Sequence, residues 1–113
     1  MTEEQIEQFY QSLKNTTEGL GQFLNPDVDF TKELVAGLIK NSERYGYSSC
    51  PCRLAAGIYE KDKDIICPCV YRDPDIADFG NCYCSLYVSE EISKGIKNTH
   101  PIPERRPQGL RIK

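Results

Sequence analysis

The sequence predicts a small, mainly α-helical domain whose second half is organised around a cysteine-rich segment. The chain has 113 residues, which suits a single domain over residues 1–113. Helical patterns fill the N-terminal part, and periodicity fades after them. All six cysteines lie between Cys50 and Cys84, as three Cys-x-Cys pairs. These observations divide the chain into a helical scaffold (1–46), a cysteine and active-site segment (47–89) and a basic tail (90–113).

The first helix is predicted over residues 2–20. Thr2 and Gln5 have the spacing of a capping box, in which each side chain bonds the backbone N–H of the other residue. Apolar residues recur at the spacing of one helix face, at Ile6, Phe9, Tyr10 and Leu13. The pattern predicts an amphipathic helix that packs on the rest of the domain.

A second helix is predicted over residues 30–45, after a turn at Asn25–Asp27. Asp29 is the expected N-cap, and Gly46 is placed to end the helix. One face is apolar, with Leu34, Val35, Leu38 and Ile39. Neither helix carries a polar constellation at ligand spacing, so both are expected to be scaffold.

The cysteine segment is expected to contain only short elements. Pro51 and Pro68 each lie inside a Cys-x-Cys pair, where proline fixes its own φ and keeps the preceding cysteine extended. Three short helices are predicted, over residues 53–57, over residues 61–66 and from Asp73 onward. Residues 85–89 look β-like, and three prolines argue against a helix over residues 100–107.

Composition excludes several classes of function. The formal net charge is −3 and the sequence pI about 5.2, so no nucleic-acid partner is expected. No run of about 18 apolar residues is present, so no membrane span is expected. The N-terminus from Met1 to Gln5 is acidic and polar, unlike a secretory signal, which predicts a cytoplasmic protein.

Basic residues are concentrated in the second half of the chain. Residues 51–113 carry ten basic and nine acidic side chains. In the tail, Glu104 is the only acid beside four basic residues, Arg105, Arg106, Arg111 and Lys113. This composition is typical of a solvated tail, or of a docking surface for an acidic protein, because opposite charge steers encounter.

Six thiols in one segment allow three kinds of site. Three disulfides are disfavoured by a reducing cytoplasm. Zinc sites usually take four ligands, from histidines or from cysteines about two to four residues apart, whereas these pairs enclose one residue and the sole histidine, His100, is distant. An iron–sulfur cluster needs four thiolates and would leave two cysteines for a redox-active dithiol. Spacing alone leaves the three open.

The three motifs together resemble a known family. Cys50-Pro51-Cys52-Arg53, Cys67-Pro68-Cys69 and Cys82-Tyr83-Cys84 match, in order, the Cys-x-Cys motifs of the catalytic (beta) chain of ferredoxin–thioredoxin reductase. The similarity covers essentially the whole chain. It implies a small, mainly α domain organised around a [4Fe-4S] cluster, in which two N-terminal scaffold helices precede short helices and loops that carry the motifs.

The resemblance also implies a role for each cysteine. The four cluster ligands would be Cys50, Cys67, Cys69 and Cys82. Cys52 and Cys84 would form the active-site disulfide, with Cys52 exposed and attacking the target, and Cys84 beside the cluster. Arg53 is expected either to lower the pKa of a neighbouring thiolate or to form a surface salt bridge.

Two features depart from the plant form of the family. Here the gaps between motifs are fourteen and twelve residues, whereas the plant form has a longer first gap and a shorter second one. Tyr83 stands where the plant form has a histidine that handles protons near the disulfide. Tyrosine, with an unperturbed pKa of about 10, is a poor base at neutral pH, so Tyr83 is expected to donate a hydrogen bond or to fill space.

The function implied is that of an iron–sulfur disulfide reductase. Ferredoxin would supply electrons one at a time, and a thioredoxin or glutaredoxin-like protein would be the substrate. The plant enzyme has a second small subunit, so an accessory subunit is a further expectation. Two alternatives remain at this point: a simple [4Fe-4S] electron-transfer protein with two structural thiols, and a zinc-stabilised binding module.

Overall fold

Two long helices, each set by its caps, form the N-terminal part of the fold. In a computed structural model that describes residues 2–111, α1 spans Glu3–Gly19 and α2 spans Val28–Tyr45. The predicted capping box of Thr2 and Gln5 is present at the start of α1. Gly46 ends α2 with a φ of 82°, a left-handed conformation that glycine adopts without steric cost. Both helix predictions are confirmed.

The N-cap of α2 is Asp27, and the prediction of Asp29 was wrong. The Asp27 carboxylate accepts the backbone N–H of Phe30 at 3.1 Å, so the helix begins two residues earlier than predicted. Asp29 lies in the first turn, where its charge suits the positive end of the helix dipole. Both aspartates precede an apolar residue, so the sequence pattern did not distinguish them.

The core runs without a break from the two helices into the cysteine segment. α1 and α2 pack against each other, and Val35 and Leu38 are completely buried between them and the second half of the chain. The cluster of buried core residues consists of Tyr10, Leu24, Leu34, Val35, Leu38, Cys50, Ile65, Cys82, Cys84, Leu86 and Tyr87. Three of the six cysteines are therefore core residues, and any change in the scaffold helices reaches them through direct packing.

A two-stranded antiparallel sheet ties the two halves together. β1 (Phe23–Leu24), in the connection between α1 and α2, pairs with β2 (Tyr87–Val88), which follows the third cysteine pair. Phe23 lies opposite Val88 and Leu24 opposite Tyr87. The β-like character predicted for residues 85–89 is thus confirmed in its second half.

The remaining elements are short. α3 (Tyr59–Asp62) continues into a 3-10 helix (Lys63–Ile65), and α4 covers Arg72–Phe79. α5 (Glu90–Ser93) follows β2, and a second 3-10 helix covers Gln108–Leu110. These elements bear out the short helices predicted for residues 61–66 and from Asp73 onward. No helix within residues 2–111 has the length and apolar character that crossing a membrane requires.

The helix predicted over residues 53–57 does not form. The backbone N–H groups of Ala56 and Gly57 each donate to the carboxylate of Asp62, both at 2.9 Å. Asp62 also accepts the hydroxyl of Tyr47 at 2.5 Å and is fully buried. A carboxylate brought in from α3 thus takes the amides that a helix would have used.

The basic tail folds back onto the domain. Arg106 is only 2% exposed and forms a forked ion pair with Asp64, with nitrogen–oxygen distances of 2.8 and 3.1 Å. Arg105 pairs with Asp75 at 2.7 Å and with Asp78 at 2.5 Å. The expectation of a solvated tail or a docking surface is therefore wrong for these two arginines, whose charges are neutralised within the chain. Lys113 lies outside the described residues.

Candidate functional site

The first two cysteine pairs run side by side. Cys50 N–H donates to the carbonyl of Ile65, and Cys67 N–H donates to the carbonyl of Ser48, each at 2.8 Å. These bonds frame an antiparallel bridge between Ser49 and Ile66. Residues that are seventeen apart in sequence are therefore neighbours at the start of both Cys-Pro-Cys motifs.

Helix α2 supports the first pair from below. Gly37 lies in the middle of α2, and a Cβ atom built on it would stand 2.9 Å from the Cβ of Pro51. That distance is shorter than Cβ atoms tolerate, so the close approach of Pro51 to the helix requires a glycine. Contact between backbone and proline ring fixes the height of Cys50 and Cys52 above the helix.

The third pair is positioned by a tight turn ahead of β2. Ser85 N–H donates to the carbonyl of Cys82 at 2.9 Å, and Ser85 has a φ of 61°, a left-handed conformation unusual for a residue with a side chain. Cys82 N–H donates to the carbonyl of Tyr87 at 2.9 Å, and Tyr87 N–H points at the Cys82 sulfur at 3.3 Å. The turn delivers both cysteines of this pair to the core.

Five cysteines line one cavity. They are Cys50, Cys67, Cys69, Cys82 and Cys84, and the cavity wall also includes Arg53, Arg72, Tyr83, Leu86 and Tyr87. Cys50, Cys82 and Cys84 are buried, and Cys67 and Cys69 are half-buried. Cys52 is the one exposed cysteine of the six. The site therefore has an inner group of thiols and a single outer thiol.

Cys84 connects the inner group to the outer thiol. Its sulfur lies 2.9 Å from the sulfur of Cys50 and also neighbours Cys52. Its hydrogen bonds favour thiolates at the other two positions: contact with Cys84 lowers the pKa of Cys50 to about 7 and lowers the pKa of Cys52 below its usual range. The same contacts raise the pKa of Cys84. Cys52 is thus the more readily deprotonated thiol of the Cys52 and Cys84 pair, as attack on a disulfide requires.

Burial has the opposite effect on the deeper thiols. It raises the pKa of Cys67 to about 12 and that of Cys82 to about 11. A buried thiol of this kind ionises when a metal binds it, because the metal's charge replaces the lost solvation.

Arg53 brings a positive charge to the cavity. Its Nη1 lies 3.6 Å from the Cys50 sulfur and 3.5 Å from the Cys69 sulfur. Burial on its own lowers the pKa of Arg53, but its hydrogen bonds with Glu104 and the neighbouring negative groups outweigh that effect and raise it. Both sequence expectations for Arg53 are thus met in part: it lies against thiols, and it forms a salt bridge, although that bridge is buried.

All eight residues singled out in the sequence meet at this site. Seven line the cavity: Cys50, Arg53, Cys67, Cys69, Cys82, Tyr83 and Cys84. Cys52 lies beside it through its contact with Cys84. His100 does not join them, since its ring nitrogens face the carbonyl oxygens of Phe79 and Pro101, at 2.8 and 3.2 Å.

Sequence reasoning missed three residues of the site. Arg72 and Tyr87 line the cavity, with the Arg72 guanidinium 4.8 Å from the centre of the Tyr87 ring. Glu104 binds Arg53 from the tail. Only Glu104 carried a signal in the sequence, as the one acid among the basic residues of the tail.

The donor set suits an iron–sulfur cluster. Four or more cysteine sulfurs face one partly enclosed cavity, and N–H groups of Arg53 and Tyr87 point at three of those sulfurs, which is the environment such clusters use. Within residues 2–111, no three His, Cys, Asp or Glu side chains converge closely enough to hold one metal ion. A cluster spreads its ligands over several metal atoms and does not need that convergence.

Comparison with known proteins gives one family. Residues 1–106 match the model of a family described as ferredoxin thioredoxin reductase catalytic beta chain. Its members are iron–sulfur disulfide reductases, and the chain described is the catalytic one of an oxidoreductase. No curated protein matches the chain.

Proposed function

Since the chain belongs to the ferredoxin thioredoxin reductase catalytic beta chain family, we propose that it reduces the disulfide of a thioredoxin-like protein with electrons from ferredoxin. The reacting group is a dithiol of Cys52 and Cys84 beside a [4Fe-4S] cluster. The observation that carries this proposal is one exposed thiol, Cys52, in contact with a buried thiol, Cys84, that itself lines the cavity of cysteines.

The cluster would be held by Cys50, Cys67, Cys69 and Cys82. Support comes from their common cavity, their burial and the N–H groups directed at their sulfurs. When bound, the cluster supplies electrons to the neighbouring disulfide one at a time, which matches a one-electron donor to a two-electron reaction. Cys84 lies on the cavity wall, so it is the member of the dithiol that communicates with this centre.

The reaction at the dithiol follows from the exposure of its two thiols. The Cys52 thiolate attacks one sulfur of the target disulfide, forming a mixed disulfide and releasing the other target sulfur as a thiolate, which takes up a proton. The Cys84 thiolate then attacks the Cys52 sulfur, releasing the second target thiolate and closing the Cys52–Cys84 disulfide. Two electrons from ferredoxin and two protons restore the dithiol.

Arg53 and Tyr83 act around this reaction without entering it. The Arg53 cation lies beside the thiols and favours their thiolate forms, which supports Cys52 as nucleophile. The ring of Tyr83 packs on the Arg53 guanidinium, 4.6 Å from its centre. This contact favours a positioning role for Tyr83 over that of proton donor.

The partners follow from the family and the chemistry. The substrate is a thioredoxin or a glutaredoxin-like protein, and the donor is a ferredoxin. A reducing compartment such as the cytoplasm suits the reaction, because free thiols persist there. The small accessory subunit stays a prediction, and the mass of the active enzyme in solution tests it.

Trapping the mixed disulfide tests the proposed function. Cys84→Ser leaves Cys52 without a resolving partner, so incubation with an oxidised thioredoxin should give a covalent one-to-one adduct, stable in denaturant and released by reductant. The measurement is a denaturing gel run without reductant, beside iron and sulfide analysis of the anaerobically purified protein.

The matched control is Cys52→Ser, which removes the outer thiol and should give no adduct while retaining its iron. An adduct with Cys52→Ser alone would reverse the two roles. Absence of an adduct with both variants, at normal iron content and with ferredoxin-linked activity intact, would disprove the dithiol mechanism.

A further inference from the structure

We propose that Glu104 is a positioning residue that holds Arg53 against the sulfurs of the cysteine cavity. The C-terminal segment over residues 101–111 would thereby set the reduction potential of a centre whose ligands all lie in residues 50–82. The inference rests on the proposed function, and it extends that function to a part of the chain that carries no cysteine.

The edge of the Arg53 guanidinium is divided between Glu104 and the sulfurs. Nε donates to one carboxylate oxygen of Glu104 at 2.8 Å and Nη2 to the other at 2.7 Å, which is a forked ion pair. The remaining nitrogen, Nη1, points at the sulfurs of Cys50 and Cys69, at 3.6 and 3.5 Å. The guanidinium is planar and rigid, so the direction of the fork dictates the direction of Nη1.

The flat faces of the guanidinium are covered by two aromatic rings. The centre of the Tyr83 ring lies 4.6 Å from the guanidinium carbon, and that of the Tyr71 ring 5.2 Å. Rings restrain the tilt of the group, but they leave rotation within its plane free. Glu104 is therefore the contact that selects which nitrogen faces the sulfurs.

Glu104 is itself fixed by the folded tail. One of its carboxylate oxygens accepts the backbone N–H of Arg106 at 2.9 Å, and its backbone carbonyl accepts Arg111 Nη2 at 3.0 Å. Arg106 is anchored in turn by its buried pair with Asp64. The tail thus presents the carboxylate at a defined place, which a free side chain would not do.

This arrangement makes the sign of the effect predictable. N–H donors and positive charge close to cluster sulfurs stabilise the more negative, reduced state and raise the reduction potential. Without Glu104, the buried cation has no carboxylate partner and turns away toward water, so the potential should fall. A direct effect of the Glu104 charge predicts the opposite, because removing a nearby negative charge raises the potential.

The experiment is an anaerobic redox titration of the iron–sulfur absorption of the holoprotein. Glu104→Gln should shift the midpoint to a more negative potential, because an amide accepts from one edge of the fork and faces the other with its own N–H groups. Arg53→Met should shift it in the same direction. In the double variant the shift should equal that of Arg53→Met alone, since Glu104 acts only through Arg53.

Two further variants keep the test sharp. Glu104→Asp retains the charge but withdraws it by one methylene, so a positioning role predicts a smaller shift of the same sign and a direct charge effect predicts none. Asp75→Asn removes the carboxylate that holds the neighbouring Arg105 of the same segment. It should lower the melting temperature without moving the potential, which separates positioning from loosening of the tail.

Three outcomes would overturn the inference. A shift to more positive potential in Glu104→Gln would assign a direct charge effect. A normal potential in Glu104→Gln and Glu104→Asp, or additive shifts in the double variant, would show that Glu104 does not act through Arg53. A wild-type protein without iron would refute the proposed function and this inference together, whereas an iron-loaded, active wild type with unmoved variants refutes the inference alone.

Discussion

At the scale of single residues, the contact between Gly37 and Pro51 links the scaffold to the site. A Cβ at position 37 would stand 2.9 Å from the Pro51 Cβ. Alanine is ordinarily better than glycine inside a helix by about 1 kcal/mol. We expect Gly37→Ala to reverse that gain and to lower the free energy of unfolding by about 1–3 kcal/mol through overpacking. Urea unfolding of the holoprotein measures the change, and iron content reports displacement of Cys50 and Cys52.

Gly19 provides the matched control in the other long helix. A Cβ there meets no atom within 4 Å, so Gly19→Ala should be neutral or stabilising by up to about 1 kcal/mol. Equal behaviour of the two alanine variants would contradict the proposed role of the Gly37 contact.

The site residues divide according to how far apart their partners lie in sequence. The six cysteines stand in a pattern that is visible in the chain itself, so the thiol site was predictable. Glu104 and Arg53 are separated by 51 residues, and no local pattern connects a tail carboxylate with a cysteine motif. The depth of Cys84 and the exposure of Cys52 were expected only through the resemblance, because alternation and periodicity are absent around them.

At the scale of elements, the start of α2 separates two similar aspartates. Asp27 accepts the N–H of Phe30, whereas Asp29 only lies in the first turn. We expect Asp27→Ala to lower the free energy of unfolding by about 1 kcal/mol, through loss of the N-cap. Asp29→Ala should cost only about 0.3–1 kcal/mol, through the helix dipole. Chemical denaturation of both variants decides between them, and a larger loss for Asp29→Ala would return the cap to the position that the sequence predicted.

Long elements were predictable and short ones were not, for one physical reason. α1 and α2 carry several turns of apolar periodicity and their own caps, so local signals add up. Residues 53–57 had helical composition over a single turn, and one buried carboxylate from Asp62 was enough to take their amides. Elements this short follow their tertiary partners, which the local sequence does not contain.

At the scale of the whole molecule, buried carboxylates make the fold sensitive to acid. Burial alone would raise the pKa values of Asp62 and Asp64, but hydrogen bonds from Tyr47 and the Ala56 and Gly57 amides to Asp62, and from Arg106 to Asp64, outweigh it and lower both. Burial likewise opposes the bonds from Arg53 and from the Arg106 amide that lower the pKa of Glu104.

These directions give the sign of the pH dependence. A carboxylate whose pKa is lower in the folded state contributes stability above its unfolded pKa of about 4, and that stability is lost as the pH falls through the folded value. The free energy of unfolding should therefore decline below about pH 5, with no matching decline toward neutral pH. Urea unfolding across that range measures it. Asp62→Asn should be less stable at neutral pH and show a flatter acid limb, and an unchanged limb would remove Asp62 from the acid response.

The last prediction concerns what holds the second half of the molecule together. The four proposed ligands come from three separate segments, at Cys50, at Cys67 and Cys69, and at Cys82, and two of them are core residues. Cluster binding would cross-link these segments, so its free energy is also folding free energy. Cys69→Ser should lose iron and melt at a lower temperature, and iron chelation of the wild type should reproduce both changes. Cys52→Ser alters the exposed thiol of the same segment and should keep its iron and its melting temperature while losing disulfide reductase activity. A Cys69→Ser protein with full iron content and wild-type melting would show that Cys69 is no ligand and that the second half is held by packing alone.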